Sequence, residues 1–283
     1  MEEKIHQLIK DRNPWLLKNN FLSKITFYLL KQYLRYDETV FVGNQIQSMT
    51  GEEAFNWLGS EYTSNSCIEG LENIPKDEKF LIVSNHPMGA ADAIALYYKI
   101  YPVRNDLFFF ANELFVYLLG AFHNLLAPVV WNNERETHSA SKVTLERLGV
   151  FFADGRPGII FPSGRLSKLT FFGLRDRPWE KTPVALAKKY NFPLIPVYVE
   201  GRNSWFFYFA SYINKQLRDV SQLNELFNKR GKNISIKIGK PVNVDSLNDN
   251  SEIAIEQLRY KSESLRKKAI LNLNRYVYLR KYK

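Results

Sequence analysis

Short apolar runs alternate with helical patterns along most of the chain. Five runs have the length and apolar content of buried strands: 80–84, around 128–131, 158–161, 194–199 and 233–238. Three segments between them space their apolar residues as helices do: 92–100, 138–153 and 181–190. This alternation predicts an α/β fold with a largely parallel sheet flanked by helices. In such sheets ligands bind beyond the carboxyl ends of the strands.

The N-terminal residues 1–60 are predicted to be a helical, membrane-associating region. Residues 15–36 have the pattern of one amphipathic helix, and Asn13-Pro14 is a start signal for it. Two sets of side chains fall on roughly opposite faces: polar Asn20, Lys24, Lys31 and Arg35, and apolar Leu17, Phe21, Ile25, Tyr28 and Leu29. Such a helix lies either in a bilayer interface or against the protein core.

Residues 107–131 form the most apolar part of the chain, yet they include Asn112, Glu113, His123 and Asn124. These polar groups argue against a membrane span. We expect two buried or interface-dipping helical pieces, the second ended by Pro128. No segment offers the roughly 18 clean apolar residues that a spanning helix needs, which favours a peripheral or monotopic protein.

The last stretch, 251–283, predicts a long helix that packs on the central 61–250 domain, with a capping start at Asp249 and Glu252. From Arg259 onward it holds nine Lys or Arg against one Glu, with tyrosines between them. A basic, tyrosine-rich helix either binds anionic lipid or covers the core as a solvated helix.

The composition and net charge of the chain restrict the classes of partner that it can bind. The 283-residue chain carries a formal net charge of +10, which suits nucleic acid, an anionic membrane surface, or a phosphorylated or acyl-carrier substrate. A basic surface alone does not predict nucleic-acid binding, because no recognition motif accompanies it. A single cysteine excludes an intramolecular disulfide, and the four histidines are not spaced as metal ligands, so we expect no metal and no cofactor. The N-terminus lacks the pattern of a secretory signal, which predicts a protein facing the cytoplasm.

The segment Asn85-His86-Pro87-Met88-Gly89-Ala90-Ala91-Asp92 follows the first predicted strand and opens a helix. A histidine at a strand end, with a carboxylate able to fold back onto it, is the minimal equipment of a general base. The carboxylate fixes the tautomer and favours the imidazolium that forms. The alternative is purely structural: Asp92 caps the helix and His86 closes a turn.

Two further strand ends carry polar residues. Phe161-Pro162-Ser163-Gly164-Arg165-Leu166-Ser167-Lys168 is a small-residue loop in which backbone N–H groups, Arg165 and Lys168 can hold a phosphate or carboxylate. Val199-Glu200-Gly201-Arg202-Asn203-Ser204 ends another buried strand, and Arg202 can join the same face.

In this order and spacing, the motifs resemble those of the glycerolipid acyltransferase superfamily, which contains the bacterial 1-acylglycerol-3-phosphate acyltransferases. The likeness is greatest to its hemolysin-like branch, which includes acyltransferases of ornithine and glycine aminolipids. It spans roughly residues 69–242, from Glu69-Gly70-Leu71 through the Asn-His-Pro-x-Gly-x-x-Asp, Phe-Pro-Ser-Gly and Val-Glu-Gly-Arg-Asn-Ser blocks to Ile238-Gly239-Lys240-Pro241.

The resemblance implies transfer of a fatty acyl group from acyl-CoA or acyl carrier protein to a lipid hydroxyl at the cytoplasmic face of the inner membrane. His86 would be the general base and Asp92 its orienting partner. The substrate-binding positions implied are Gly89, Ser163, Gly164, Arg165, Lys168 and Arg202. Backbone N–H groups near the two loops would stabilise the oxyanion.

This chain departs from the familiar family pattern at several positions. Five residues rather than four separate His86 from Asp92, as in the hemolysin-like branch. Ser163 stands where the familiar third motif has Glu, Arg165 where it has Thr and Leu166 where it has Arg. The candidates for the second motif are Asn132, Asn133 and Arg135. The acceptor is therefore either a lysophosphatidic acid-type lipid or a monoacylated amino-acid lipid. The alternative function is a catalytically idle lipid-binding protein on the same scaffold.

Overall fold

A seven-stranded sheet forms the centre of the protein. The computed structural model describes residues 2–3, 6, 10, 14–33, 35–112, 120–129, 138–171, 173–213 and 215–266. In these ranges the strands of the main sheet are β1 (Cys67–Glu69), β2 (Leu81–Ser84), β3 (Phe108–Asn112), β4 (Leu126–Val129), β5 (Gly158–Ile160), β8 (Leu194–Glu200) and β9 (Ser235–Ile238). A separate antiparallel hairpin consists of β6 (Lys168–Thr170) and β7 (Gly173–Arg175).

The strand order is β1-β9-β8-β2-β5-β3-β4, and every neighbouring pair is parallel except β8 with β9. The expectation of a largely parallel sheet is therefore confirmed. All five predicted strands are present, with their ends shifted by one or two residues.

Helices cover both faces of this sheet. They are α1 (Phe21–Tyr33), α2 (Tyr36–Gln47), α3 (Gly51–Tyr62), α4 (Ala90–Ile100), α5 (His138–Ala153), α6 (Thr182–Tyr190), α7 (Trp205–Ile213), α8 (Lys215–Phe227) and α9 (Ser251–Glu263). Short 3-10 turns add Pro14–Leu17, Leu71–Asn73, Gly120–Leu125 and Val244–Ser246. The three helices expected in the central domain are confirmed as α4, α5 and α6.

Alternation along β2 divides the core into two layers. Ile82 packs on one face with Phe55 of α3 and Tyr97 of α4, whereas Leu81 and Val83 pack on the other face with residues of α5, α6 and α9. Residues on both faces are buried because helices cover both, which is why the strand reads as a continuous apolar run. Helices α2 and α3 share the first layer, so this core extends below residue 61.

The expectation of two helical pieces over 107–131 is wrong at both ends of this range, although Gly120–Leu125 is a short 3-10 helix. Phe108–Asn112 is strand β3, and Pro128 lies inside strand β4 rather than at a helix end. Among the described strands β4 is the last in the sheet order, and an edge strand tolerates a proline, which has no N–H to donate. Glu113 falls outside the described residues.

The predicted helix over 15–36 is interrupted at both ends. A 3-10 turn covers Pro14–Leu17, α1 begins only at Phe21, and Arg35 adopts a left-handed conformation with φ of 48° before α2 starts. The apolar side chains of α1 point outward, because Phe21, Leu22, Ile25, Tyr28 and Leu29 are all exposed. Ser23 is the buried side chain and donates a hydrogen bond to the carbonyl oxygen of Trp15 at 2.8 Å.

The C-terminal helix α9 starts one residue later than the capping prediction implied. Its N-cap is Asn250 rather than Asp249, because the side chain of Asn250 accepts a hydrogen bond from the N–H of Glu252 at 2.8 Å. Ile255 and Leu258 bury α9 against the domain. Most of the basic stretch, from residue 267 onward, lies outside the described residues. Within the ranges given above, no helix has the length and apolar content needed to cross a bilayer.

Candidate active site

The three polar segments found in the sequence meet at one edge of the sheet. Strand β2 lies between β5 and β8 and is parallel to both, so the loops after Ser84, Ile160 and Glu200 leave the sheet side by side. The first of these loops carries His86, the second Ser163 to Lys168, and the third Arg202 to Ser204. The prediction that these segments share the carboxyl edge is confirmed.

His86 and Asp92 lie in direct contact. Nδ1 of His86 is 3.0 Å from Oδ2 of Asp92, and Asp92 is fully buried while 18% of the His86 side chain is exposed. The imidazole also stacks on Phe161, with ring centroids 4.1 Å apart. A buried carboxylate at Nδ1 favours the tautomer that leaves Nε2 free to accept a proton. This arrangement is the one that a general base within reach of a bound substrate requires, and the catalytic role of the pair stays a prediction.

Asp92 has a structural task as well. Its Oδ2 accepts hydrogen bonds from the N–H of Met88 at 2.9 Å and of Gly89 at 3.0 Å, which caps the start of α4. The helix-capping contacts are therefore present, and the contact with Nδ1 is compatible with the orienting role, which stays a prediction. The cap fixes the loop in which His86 lies, and the contact with Nδ1 fixes the ring.

Replacing Asp92 with Asn separates these two tasks. An Asn side chain oxygen still accepts from Met88 and Gly89, but it removes the negative charge that orients and stabilises the imidazolium. We expect Asp92→Asn to lower the turnover number about 10²–10⁴-fold in a protein that still folds. Steady-state kinetics and circular dichroism check this, with exposed Asp77→Asn as the matched control. A near-normal rate in folded Asp92→Asn protein would reduce Asp92 to a helix cap.

Gly89 has a conformation that other residues rarely adopt. Its φ is +83°, and a Cβ placed there would lie 3.2 Å from Cδ2 of Leu166. The glycine therefore permits the tight turn between His86 and Asp92 and the close approach of the second loop. Its predicted role in substrate binding stays a prediction.

Asn85 anchors the same loop from the other side. Its side-chain Nδ2 donates to the carbonyl oxygen of Val199 at 2.8 Å, and its Oδ1 accepts from the N–H of Val199 at 2.7 Å. The amide thus extends the pairing of β2 with β8 by one side chain. We conclude that the Asn of the motif holds His86 at a fixed distance from the third strand end.

In the second loop, Ser163 and Gly164 shape the turn. The Ser163 hydroxyl donates to the carbonyl oxygen of Arg165 at 2.8 Å, and Gly164 has a positive φ of 57°. Arg165 and Lys168 are exposed beyond this turn. The loop is tied to the first one, because the N–H of Ser167 donates to the carbonyl oxygen of His86 at 2.9 Å.

Asp176 joins the two loops, and sequence reasoning did not find it. Its Oδ1 accepts from the N–H of His86 at 3.2 Å and from the hydroxyl of Ser167, and its Oδ2 accepts from Nε1 of Trp179 at 3.0 Å. Burial raises the pKa of this carboxyl, and the hydrogen bonds from Ser167 and Trp179 oppose that rise. His86 is thus held through its N–H, its carbonyl oxygen and its ring.

Arg177, next in the chain, brings further positive charge to the second loop. Burial, together with the like charges of Arg165 and Arg218, lowers the pKa of Arg177. Its Nε is buried and makes no hydrogen bond with any described residue. Arg218 lies one turn before Gln222 on α8, and Gln222 Oε1 is 3.7 Å from the Cβ position of Gly89. The charges of Arg165 and Arg218 therefore act on Arg177, and all three arginines belong to segments that border the His86 loop.

The third loop packs against the first loop and is held to the end of α8 by a buried charge pair. A Cβ on Gly201 would lie 2.3 Å from Sδ of Met88, so the two loops touch at that point. Nζ of Lys229 lies 3.3 Å from Oε2 of Glu225, with both side chains buried, and also donates to Oδ1 of Asn203 at 2.9 Å. Glu225 in turn accepts from the N–H and the hydroxyl of Ser204.

Arg202 and the backbone N–H groups near the loops were also expected to belong to the site. Arg202 is exposed and its guanidinium lies 5.3 Å from the ring centre of Trp205, so it belongs to the outer edge of the site. The oxyanion was expected to be stabilised by backbone N–H groups near the two loops; four of these, from Met88, Gly89, Gly164 and Ser167, donate to acceptors within the protein, and the oxyanion donor stays a prediction. The candidates for the second motif, Asn132, Asn133 and Arg135, fall outside the described residues.

Comparison with known proteins was made for the whole chain. A family model described as Acyltransferase matches residues 28–276. A lyso-glycine lipid O-acyltransferase of Phocaeicola vulgatus is 33% identical over 232 residues, which cover 80% of this chain and 81% of that protein. A protein of the same name from Bacteroides thetaiotaomicron is 25% identical over 245 residues, covering 84% and 87%.

A solved structure also resembles this one. It is the crystal structure of the 1-acyl-sn-glycerophosphate (LPA) acyltransferase PlsC from Thermotoga maritima, with a TM-score of 0.48, 21% identity, and coverage of 86% of this chain and 95% of that one. The family model spans well over half of the chain, and the relative from P. vulgatus exceeds 30% identity over four fifths of it. This chain therefore belongs to the acyltransferase family.

Proposed function

We propose that this protein transfers a fatty acyl group from an acyl thioester, acyl-CoA or acyl carrier protein, to the hydroxyl of a monoacylated amino-acid lipid. The observation that carries the proposal is the buried Asp92 against Nδ1 of a partly exposed His86, at the sheet edge where three loops meet. The two relatives named lyso-glycine lipid O-acyltransferases support the acceptor class.

In the proposed reaction the acceptor hydroxyl lies at Nε2 of His86. His86 takes the hydroxyl proton as the oxygen attacks the thioester carbonyl, and Asp92 stabilises the imidazolium that forms. Collapse of the tetrahedral intermediate breaks the carbon–sulfur bond, and the imidazolium returns the proton to the departing thiolate. One ester and one free thiol are produced, and the protein is unchanged.

Arg165, Arg177 and Arg218, which border the His86 loop, support an acceptor with an anionic head group. A carboxylate presents two oxygens that match a guanidinium, and Arg177 carries a buried Nε without a hydrogen-bond partner among the described residues. An anion placed between Arg165, Arg177 and Arg218 would also relieve the repulsion that lowers the pKa of Arg177. We assign the carboxylate of the amino-acid lipid to this position.

We propose that the protein works peripherally at the cytoplasmic face of the inner membrane. The exposed apolar side chains of α1 are suited to the interface between headgroups and acyl chains. The formal net charge of +10 favours an anionic lipid surface.

An acceptor panel tests this function. Purified protein receives an acyl thioester together with a monoacylated glycine lipid, its methyl ester, or lysophosphatidic acid, and products are identified by mass spectrometry. We expect a diacyl product from the free carboxylate and much less from the methyl ester. Efficient use of lysophosphatidic acid alone would assign the phosphate-bearing acceptor instead. No product from any acceptor, with vesicle binding intact, would favour the idle lipid-binding protein.

Arg177→Gln should impair acceptor use more than donor use. We expect the KM for the carboxylate acceptor to rise about tenfold or more, because a charge-assisted hydrogen bond is lost, while the KM for the thioester stays near its original value. Exposed Lys181→Gln removes one positive charge elsewhere and is the matched control. An equal rise for the carboxylate and its methyl ester would contradict the assignment of the carboxylate to Arg177.

A further inference from the structure

Helix α7 presents an aromatic stripe to the outside. Trp205, Phe209 and Tyr212 follow one another at helical spacing and are 65%, 62% and 78% exposed. The opposite side of the helix, with Phe207, Tyr208 and Ala210, is buried. The buried side of the helix packs into the core, whereas the exposed aromatic stripe does not contribute to the core.

The hairpin β6–β7 brings another aromatic residue to the same region. Phe171 at its tip is 98% exposed. The turn is closed by the Thr170 hydroxyl, which donates to the carbonyl oxygen of Gly173 at 2.7 Å. Near the C-terminal end of α7, the Tyr212 hydroxyl donates to the carbonyl oxygen of Leu169 in the hairpin at 3.2 Å. The tip of the hairpin and the end of α7 therefore form one surface.

Both legs of this hairpin are rooted on His86. Ser167, just before β6, donates its N–H to the carbonyl oxygen of His86, and Asp176, just after β7, accepts from the N–H of His86. From Ser167 to Phe171 at the tip the strand extends only about 13 Å. The exposed aromatic tip is thus mechanically tied to the catalytic loop and lies close to it.

Positive charge borders the same surface. Arg202 lies over the ring of Trp205, and Arg165 and Lys168 are exposed at the base of the hairpin. At its N-terminal end α7 meets α1, because the ring of Phe206 packs at a tilt against that of Tyr33, with centroids 4.2 Å apart. Protein surfaces at a membrane interface are typically rich in tryptophan and tyrosine next to arginine and lysine.

We propose that Phe171, Trp205, Phe209 and Tyr212, here called the aromatic rim, insert into the interface of an anionic lipid bilayer. Because the rim is tied to the backbone of His86, docking sets the catalytic loop directly above the lipid headgroups. A lysolipid then reaches Nε2 of His86 by rising out of the bilayer, with its acyl chain still in the membrane. The inference rests on the proposed function for the substrate, but the binding surface is tested without any substrate.

Vesicle sedimentation of the full chain tests the rim. The variant is Phe171→Ser/Phe209→Ser, and the control is Val150→Ser, which removes an exposed apolar side chain from α5. We expect the double variant to lose about tenfold in partitioning onto vesicles of phosphatidylethanolamine and phosphatidylglycerol, and the control to bind as the wild type. Both proteins should show the urea-unfolding midpoint of the wild type, because the replaced side chains are on the surface. Unchanged partitioning of the double variant would overturn the proposal.

A second measurement locates the contact. Brominated lipids should quench part of the tryptophan fluorescence of the wild type, and Trp205→Phe should remove that part. Quenching that is identical in Trp205→Phe would place the membrane contact elsewhere. If the wild type ignores vesicles and the double variant instead dissociates a dimer in light scattering, the rim covers a second copy of this chain and the proposal fails.

Activity measurements distinguish membrane docking by the aromatic rim from the proposed acyl transfer. We expect the double variant to turn over a short-chain, monomeric acceptor at the wild-type rate and a vesicle-embedded acceptor about tenfold more slowly. Equal loss on both acceptors would contradict a docking role. Loss of vesicle binding by the double variant, in a protein that transfers no acyl group to any acceptor, would support the rim and refute the proposed function.

Discussion

His86→Gln is expected to lower the turnover number about 10³-fold or more, which is the contribution of a positioned general base. The glutamine amide cannot take the hydroxyl proton at neutral pH, while the loop itself stays fixed by Asn85, Asp176 and the cap on α4. Initial rates of thiol release in the presence of acceptor measure the effect.

The control for this prediction is His123→Gln, an exposed histidine whose ring contacts Arg147 away from the three loops. It should leave the rate near that of the wild type. Binding of the acceptor to His86→Gln, measured by calorimetry, should remain within about threefold of the wild type, because the imidazole acts mainly on the transition state. Comparable rates in the wild type and His86→Gln would show that another group removes the proton.

Lys229→Met is expected to destabilise the fold by about 3–5 kcal/mol, the cost of leaving one partner of a buried ion pair without the other. Burial lowers the pKa of Lys229, and the charge of Glu225 opposes that shift. Removing the ammonium leaves Glu225 buried, with hydrogen bonds from Ser204 alone among the described residues. The free energy of unfolding, from urea denaturation followed by circular dichroism, measures the effect.

Two further variants make this prediction specific. Exposed Lys240→Met should change the free energy of unfolding by no more than about 0.5 kcal/mol. The double variant Lys229→Met/Glu225→Leu should regain part of the loss, because replacing both charges by apolar groups removes the uncompensated carboxylate. A loss below about 1 kcal/mol in Lys229→Met would contradict the view that the pair holds the third loop in place.

The sequence predicted the strands at the centre of the sheet because their burial on both faces leaves a plain apolar run, as in Leu81–Ser84 and Leu194–Glu200. The same signal failed at Phe108–Asn112. There the apolar run is long and continuous, and periodicity alone does not distinguish a buried strand from a buried helix. The break at Arg35 also escaped prediction, because a left-handed arginine has no sequence signal comparable to glycine.

Some contacts of the candidate site could also be predicted from the sequence, and others could not. His86 and Asp92 are close in sequence, and a strand followed by a helix start brings them together, so their contact was predictable. Asp176 lies 90 residues from His86, and its role depends on the path of the hairpin between them. The Glu225 and Lys229 pair offered one usable signal, since charged residues four apart on a helix face each other, but spacing does not reveal that the pair is buried.

Tracing a labelled acyl group tests the central claim most directly. Purified protein is mixed with a labelled acyl thioester, with or without a monoacylated amino-acid lipid, and the label is followed by mass spectrometry. Direct transfer assisted by His86 predicts label in an alkali-labile ester on the acceptor, in an amount equal to the thiol released, and no label on the protein. Label on the protein itself, or free fatty acid formed equally with and without acceptor, would contradict the account.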